Sequence, residues 1–399
     1  MRSTLLAAAV LLLACFSGPF ESDEAWWRLA TGRYIVQNHK LPVPDPFDFT
    51  TYIGAPDPAR QSKITSWWPA HAAMYLAYAG GGFAGVVLVR ALVVILACGL
   101  VAYFVWRRTR NFYYGLIALL VPAAAAYPLV RDDPALLAWM VLACAAGGPL
   151  LAYGVARLPW RPSALRLRWQ WILTLILLAA IALPVRQGRA FRFESWEAAR
   201  PVGAIRFLAA HHVIGPIFNT PDQGGYLMWQ LGPERRIFTD GRRLNATVAA
   251  DARRIEYNIS QPGGKTPLQL LDQYGVQAIL IAAFDYPTGS PHFLIAALAV
   301  PAQTQWKLVY QDGQGMVYLR QVPGGVRPLA NIAGFASMEA QCAAHIRLVP
   351  NEPLCARETC KMYEHLGNFD RARFWMAYYL EHKKQPDPAA EVEYQRLLR

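Results

Sequence analysis

Between residues 66 and 185 the chain is almost free of acids and is cut into apolar runs by short arginine clusters. That pattern restricts the fold more than any other feature. Residues 83–106, 112–130, 134–155 and 169–185 each have roughly the ~20 residues an α-helix needs to cross a ~30 Å hydrocarbon layer. A shorter apolar run, 5–16, lies behind Arg2. It can be read as a signal peptide, with Leu12-Leu-Ala-Cys15 resembling a lipoprotein cleavage box. A retained first span agrees better with the charges of the later segments, and Leu13 stands where such a box prefers a small residue. Residues 67–82 are apolar and aromatic, hold Pro69 and His71, and end in three glycines. They read as an interfacial or re-entrant helix rather than a span.

The charges sort by side. Arg2, the cluster Arg107, Arg108 and Arg110, and the cluster Arg157, Arg161, Arg166 and Arg168 fall on one side of the membrane. The acidic loop 20–65, Arg131-Asp132-Asp133 and everything beyond Arg186 fall on the other. Five spans with the N-terminus inside and the C-terminus outside satisfy the positive-inside rule throughout. The expected architecture is an α-helical membrane domain over 1–190, carrying the first outer loop. A small α/β extracytoplasmic domain over 191–325 and a short helical tail over 326–399 come next. The net charge of +12 sits largely in the clusters that flank apolar runs, so it reads as a topology signal and not as a nucleic-acid surface.

In the second half, strand-like and helix-like stretches alternate, as in an α/β domain. Residues 196–210 have the apolar period of an amphipathic helix, from Trp196 and Ala199 to Leu208. A short strand, a Gly-rich turn and a helix start occupy 215–229. Residues 236–243 read as a second strand running into a turn, 268–274 as a helix and 276–283 as a buried strand. Residues 306–310 and 316–320 read as a hairpin around Asp312-Gly. Beyond a Gly/Pro linker at 323–328, residues 336–399 look helical. Leu366, Gly367, Phe369 and Ala372 are spaced as in a tetratricopeptide hairpin. One such repeat cannot bury its own face, so it is expected to cap the α/β domain or to dock on a protein partner. Cys342, Cys355 and Cys360 allow one disulfide in an oxidising compartment, and zinc is unfavoured for lack of companion ligands. Gly263-Gly-Lys-Thr266 is not a phosphate loop, because the glycine required five positions earlier is Ile259. Asn245-Ala-Thr and Asn258-Ile-Ser are formal glycosylation acceptors.

Chemistry is concentrated just after the first apolar run, in Asp23-Glu24-Ala-Trp26-Trp27-Arg28 and Arg33. Arg90 lies within an apolar run, where a charge costs about 2.5–3.5 kcal/mol. It either snorkels outward, or pairs with a lipid phosphate or an acid of the first loop. Asp132 and Asp133 precede Pro134 and read as a helix cap or as partners in a site.

Several stretches resemble bacterial multi-span proteins of the GT-C glycosyltransferase superfamily. They are Asp23-Glu24 with Trp26-Trp27-Arg28-Leu29-Ala30-Thr31-Gly32, and Pro42-Val-Pro-Asp45-Pro46-Phe47-Asp48-Phe49-Thr50. Phe218-Asn219 with Gly224-Gly225-Tyr226-Leu227, and Phe238-Thr239-Asp240-Gly241-Arg242, complete the set. Asp222-Gln-Gly-Gly-Tyr226 is also distantly similar to a segment of oligosaccharyltransferase catalytic subunits. The resemblance departs from the family at Glu24, where Asp is usual, at Arg28, where His is usual, and in its low span count. It implies transfer of a sugar from a polyprenyl-phosphate donor on the outer membrane face. Asp23 or Glu24 would be the base. Arg28, Arg33 and Arg90 would neutralise the departing phosphate, and Trp26 and Trp27 would stack on sugar or anchor at the interface. Asp222, Tyr226, Asp240 and Arg242 would bind substrate in the outer domain. Mg or Mn held by Asp23, Glu24 and Asp132 or Asp133 is an open expectation. The alternative is a non-catalytic, membrane-anchored binding or assembly protein derived from that family.

Overall fold

The computed structural model describes all residues except 1, 21–22, 55–56, 129–132, 159–166, 189, 194, 196–199, 286–287, 301–302 and 349–352. The chain is mostly helical, with one small mixed sheet. It divides into two compact units, Met1–Pro42 with Thr65–Trp196, and Val43–Ile64 with Glu197–Arg399. The outer loop expected as part of the membrane domain is therefore divided at Pro42, and its second half is built into the other unit.

In chain order the helices begin with α1 (Arg2–Phe16), α2 (Asp23–Asn38) and α3 (Pro58–Thr65), the last lying almost wholly in the second unit. Then come α4 (Trp68–Thr109), α5 (Phe112–Ala126), α6 (Pro134–Ala156) and α7 (Leu167–Arg186) of the first unit. Helix α4 is broken at Gly81 and Gly82, and Gly82 has φ 61° and ψ −150°. Only glycine tolerates that conformation without strain. A Cβ on Gly85 would stand 2.2 Å from the Ala77 carbonyl oxygen, so the two halves of α4 pack back on each other. The break falls in the three glycines that end the apolar stretch 67–82. Side chains finish the neighbouring helices. Asn111 accepts from the amides of Tyr113 and Tyr114 at the start of α5, and Asp133 from those of Ala135 and Leu136 at the start of α6.

Among the described residues two helical stretches, Ala59–Thr109 and Ala135–Ala156, are long and apolar enough to cross a membrane. Ser3–Phe16, Phe112–Ala126 and Gln170–Arg186 are apolar but shorter. At 1.5 Å per residue, the 15 residues of α5 extend about 22 Å, less than a full hydrocarbon layer.

The second unit is built on β1 (Ile217–Phe218), β2 (Ala278–Ile281), β3 (Lys307–Gln311) and β4 (Met316–Leu319), in the order β1-β2-β4-β3. β1 and β2 are parallel, and the other two pairings are antiparallel. Helices α8 (Val202–Ala210), α9 (Pro221–Leu231), α10 (Ala246–Glu256), α11 (Pro267–Gln273) and α12 (Leu294–Ala299) surround the sheet. The β3–β4 hairpin, β2 and α11 lie where the sequence places them. The stretch 236–243 is not a strand. Ile237 makes only isolated bridges, to Ile217 and to Asp48, the latter in the inserted loop. Residues 196 and 199 of the expected amphipathic helix lie outside the described residues.

The tail forms α13 (Ala333–Leu348), α14 (Leu354–His365), α15 (Phe369–His382) and α16 (Pro388–Leu398). Met338, Cys342, Met362, Trp375 and Met376 share one buried cluster with Phe218, Ile279 and Trp306 of the α/β part. The tail thus caps this domain, joining its core instead of forming a separate one. A disulfide joins Cys342 of α13 to Cys355 of α14, and Cys360 is free and buried.

Candidate functional site

The residues singled out in the sequence fall into three clusters, one in the first unit and two in the second. In the first unit, α2 carries its apolar face inward. Trp26 is fully buried, with ring centroids 5.0 Å from Phe20 and 5.4 Å from Phe83. Gly32 is needed for contact, because a Cβ there would lie 2.1 Å from the His71 carbonyl oxygen on α4. The Thr31-Gly32 pair is therefore a helix–helix packing signal. Trp27 lies edge-on to His71 at 5.2 Å, and the Arg28 guanidinium sits 5.0 Å from the Trp27 ring centre.

Arg28 is buried and donates to Glu24 Oε2 at 2.8 Å, one turn earlier on α2. Its other terminal nitrogen pairs with Asp133, the residue that caps α6. Glu24 stays 61% exposed on its side chain, so of this cluster it is the carboxylate open to an incoming molecule. The side chain of Asp23 and the whole of Asp132 lie outside the described residues. Arg33 is half-buried near Tyr75 and Tyr78.

Arg90 is buried and does not snorkel outward. Its Nε donates to the Phe16 carbonyl at 3.1 Å, and Nη2 donates to that of Gly18. It thus places a cation on carbonyls at the end of α1 that the helix itself leaves unsatisfied. Arg90 also lines a cavity of about 240 Å³ whose other walls are apolar, from Ala70, Met74 and Ala77 on one half of α4, Val86 and Val93 on the other, and Leu137 on α6. Leu137 is one helical turn beyond Asp133, and Ala70 adjoins His71, so the lining of the slot begins within a turn of the Arg28 cluster.

The second cluster unites two motifs nearly 200 residues apart. Arg242 donates through Nε to Asp240 Oδ2 at 2.7 Å and through Nη2 to Asp45 Oδ2 at 3.1 Å, with Asp48 Oδ1 at 3.7 Å. All four side chains are buried. The inserted loop is held further by Thr50 Oγ1 to the Phe238 carbonyl at 2.5 Å and Asn245 Nδ2 to that of Ile53 at 2.7 Å. Asn219 braces the other side, accepting from the Phe238 amide at 2.9 Å and donating to the Thr239 carbonyl at 2.7 Å. Gly224 must lack a side chain, since its Cβ would fall 2.3 Å from the Thr239 carbonyl oxygen. Burial, then the charge of Asp240, push the Asp48 carboxyl well above the usual carboxylate range, with Arg242 opposing. That shift favours the neutral form of Asp48 and so reduces the charge that three carboxyl groups set against one guanidinium. Asp240 and Arg242, which the resemblance assigns to substrate binding, clasp the loop. Asn245 is buried and caps α10, so its sequon is spent on structure.

In the third cluster His292 is fully buried, with Nε2 2.9 Å from Glu256 Oε1 and Nδ1 2.8 Å from the Ala282 carbonyl oxygen. Burial lowers its pKa, but the bond and charge of Glu256 and the charge of Asp222 outweigh this and raise it. Asp222 is half-buried at the start of α9, and Tyr226 is buried on the same helix. Sequence reasoning did not single out Glu256 or His292, which have no motif around them. Asp45 and Asp48 stood in a quoted motif but without a role. No group of three metal-ligating side chains occurs among the described residues. Comparison with protein-family models, curated proteins and solved structures gave no match.

Proposed function

We propose that the protein is a multi-span membrane protein related to the GT-C glycosyltransferases, which transfers sugar from a polyprenyl-phosphate donor on the outer membrane face. One observation carries this reading: the charged Glu24–Arg28–Asp133 group adjoins an apolar slot that holds Arg90. An amphiphile with an anionic head and a hydrocarbon tail matches both parts. Five spans remain the reading of the basic clusters, with the first half of α4 as an interfacial or re-entrant element. The Cys342–Cys355 bond accords with an extracytoplasmic second unit.

In this scheme the exposed Glu24 carboxylate accepts the proton of the acceptor hydroxyl or amide as that atom attacks the anomeric carbon. The bond from that carbon to the phosphate oxygen breaks, and the lipid phosphate leaves with the electron pair. Arg28 neutralises it by exchanging a carboxylate partner for the phosphate. Asp133 holds Arg28 in place from the α6 cap. A divalent cation would add charge neutralisation at the departing phosphate.

The test is sugar transfer by the full chain in nanodiscs, from a radiolabelled polyprenyl-phosphate sugar. Glu24→Gln is expected to lower the rate by about 10²–10⁴-fold while insertion and melting are retained. Undiminished transfer in E24Q, D23N and the double variant would overturn the catalytic assignment. The second reading, a non-catalytic binding or assembly protein of the same descent, is favoured by the clasp. There, motif residues Asp45, Asp48, Asp240 and Arg242 are consumed in holding the loop. It predicts lipid-phosphate binding without turnover, or no binding at all.

A further inference from the structure

Helix α10 ends on a buried ion pair that takes no part in the Arg28 group or in the Arg242 clasp. Its cation, His292, is fixed to the end of β2. The His292 backbone amide donates to the Ala283 carbonyl at 2.9 Å, and Nδ1 lies 2.8 Å from the Ala282 carbonyl oxygen. Nε2, on the other side of the ring, lies 2.9 Å from Glu256 Oε1. A carbonyl oxygen and a carboxylate both accept, so the two contacts are satisfied together only by the imidazolium, which has a proton on each nitrogen. A neutral ring turns a lone pair on one of them. Because Ala282 and the His292 backbone belong to the sheet side, the contact given up is the one to Glu256. Asp222 at the start of α9 adds negative charge near the ring, and Tyr257 packs 6.1 Å from it. Asp285 and Arg253 act on Tyr257 in opposite senses. Burial, then the charge of Glu256, push the Tyr257 hydroxyl up to about 12, so it stays neutral while His292 titrates.

We infer that Glu256 and His292 form a pH-operated latch, closed while the imidazole is protonated, that holds the end of α10 against the end of β2. The rest of α10 does not depend on it. Val248, Ala252 and Ile255 are buried in the core, and Asn245 caps the helix start. Loss of the proton leaves a buried carboxylate facing a lone pair and frees only the turn over 256–259. Tyr257 and Phe293, the sequence neighbours of the pair, both line an open cleft of about 540 Å³. The latch therefore sets how that cleft is walled. It holds whether or not the first unit transfers sugar.

The experiment is hydrogen exchange on the full chain in nanodiscs at pH 5.5 and 8.5, read by mass spectrometry and corrected for the intrinsic effect of pH on exchange. The amides of Tyr257 and Ile259 bond to the carbonyls of Arg253 and Arg254. They should lose protection by about tenfold or more at pH 8.5, beyond any change at β2 and β4, which report general stability. Glu256→Gln should stay protected at pH 8.5, because its amide N–H donates to the neutral ring. His292→Gln should leave the turn open at both pH values, since no cation then faces Glu256. Equal corrected protection of the parent chain at the two pH values would overturn the inference. So would a decline in E256Q or H292Q as large as that of the parent chain. If H292Q does not fold, E256Q carries the same test.

Discussion

Asp45, Asp48 and Asp240 share Arg242 in a buried site, and burial with the charge of Asp240 shifts Asp48 toward its protonated form. The unfolded chain releases that proton near the usual value of 3.8, whereas the folded chain holds it to higher pH. Over that window the folded state binds more protons than the unfolded one, so stability falls as pH rises. His292 has the same sign. Its folded pKa is raised, so its contribution is complete below about 6.5 and is lost as pH climbs through the folded value. Glu339 and Asp387 are held below their usual values and matter only in acid, outside this window. The full chain should therefore melt lower at pH 8 than at pH 5.5, as followed by tryptophan fluorescence in detergent. Asp48→Asn keeps the neutral shape, and should raise the pH 8 melting temperature by a few degrees and shrink the decline. A decline as steep as that of the parent chain would contradict a neutral Asp48. Arg242→Ala leaves the remaining carboxylates uncompensated and should cost about 3–5 kcal/mol. Denaturant melts would measure this, and a loss under about 1 kcal/mol would mean that the clasp is not a buried ion pair.

At the scale of elements, the disulfide joins α13 to α14 across a sequence separation of 13 residues. Closing a loop of that length is worth about 3 kcal/mol through the unfolded state. Cys342→Ala with Cys355→Ala should lose roughly that amount, and the parent chain should lose the same on reduction. If the double variant still responds to reductant, Cys360 is involved in a different pairing. Elements defined by local pattern were readable from sequence. The β3–β4 hairpin announces itself by alternation around Asp312-Gly, and the α4 turn by its glycines. Residues 236–243 show why the rest was not. Their apolar alternation is real, but Ile237 pairs with Asp48 of a loop far away in sequence, and no local period encodes that pairing. The same holds for the site. Glu24 and Arg28 are one turn apart and legible, whereas Asp133 joins them only through helix packing. The motif carrying Asp240 and Arg242 was visible, but its role was not, because burial cannot be read from a motif.

Across the whole molecule, one loop serves two purposes. Residues 20–42 contribute α2 to the first unit, and 43–64 are clasped into the second. This division requires the loop and the segment beyond Glu197 to lie on the same side of any membrane the chain crosses, since a clasp formed by Arg242 with Asp45 cannot span a bilayer. An odd number of crossings between Pro42 and Glu197 is thereby excluded. The five-span reading meets that condition, with four crossings after the first loop, at the second half of α4, α5, α6 and α7, and the first half of α4 adding none. The two helical stretches long and apolar enough on their own would also meet it if both cross, but would set Asp133 across the bilayer from Arg28, with which it pairs. The two schemes differ at the arginine clusters. With four crossings, Arg107–Arg110 and Arg157–Arg168 are both cytoplasmic and Asp133 lies outside. With two, crossing at the second half of α4 and at α6, everything between Arg107 and Asp133 is cytoplasmic. Alkaline phosphatase fused after residue 132 decides between them, because the enzyme is active only outside the cytoplasm. Strong activity there, with weak activity for fusions after residues 110 and 165 and strong activity after 399, supports five spans. Weak activity after 132 with strong activity after 399 would remove α5 and α7 from the set of spans. It would also place Asp133 away from the outer face, and with it the proposed transfer site.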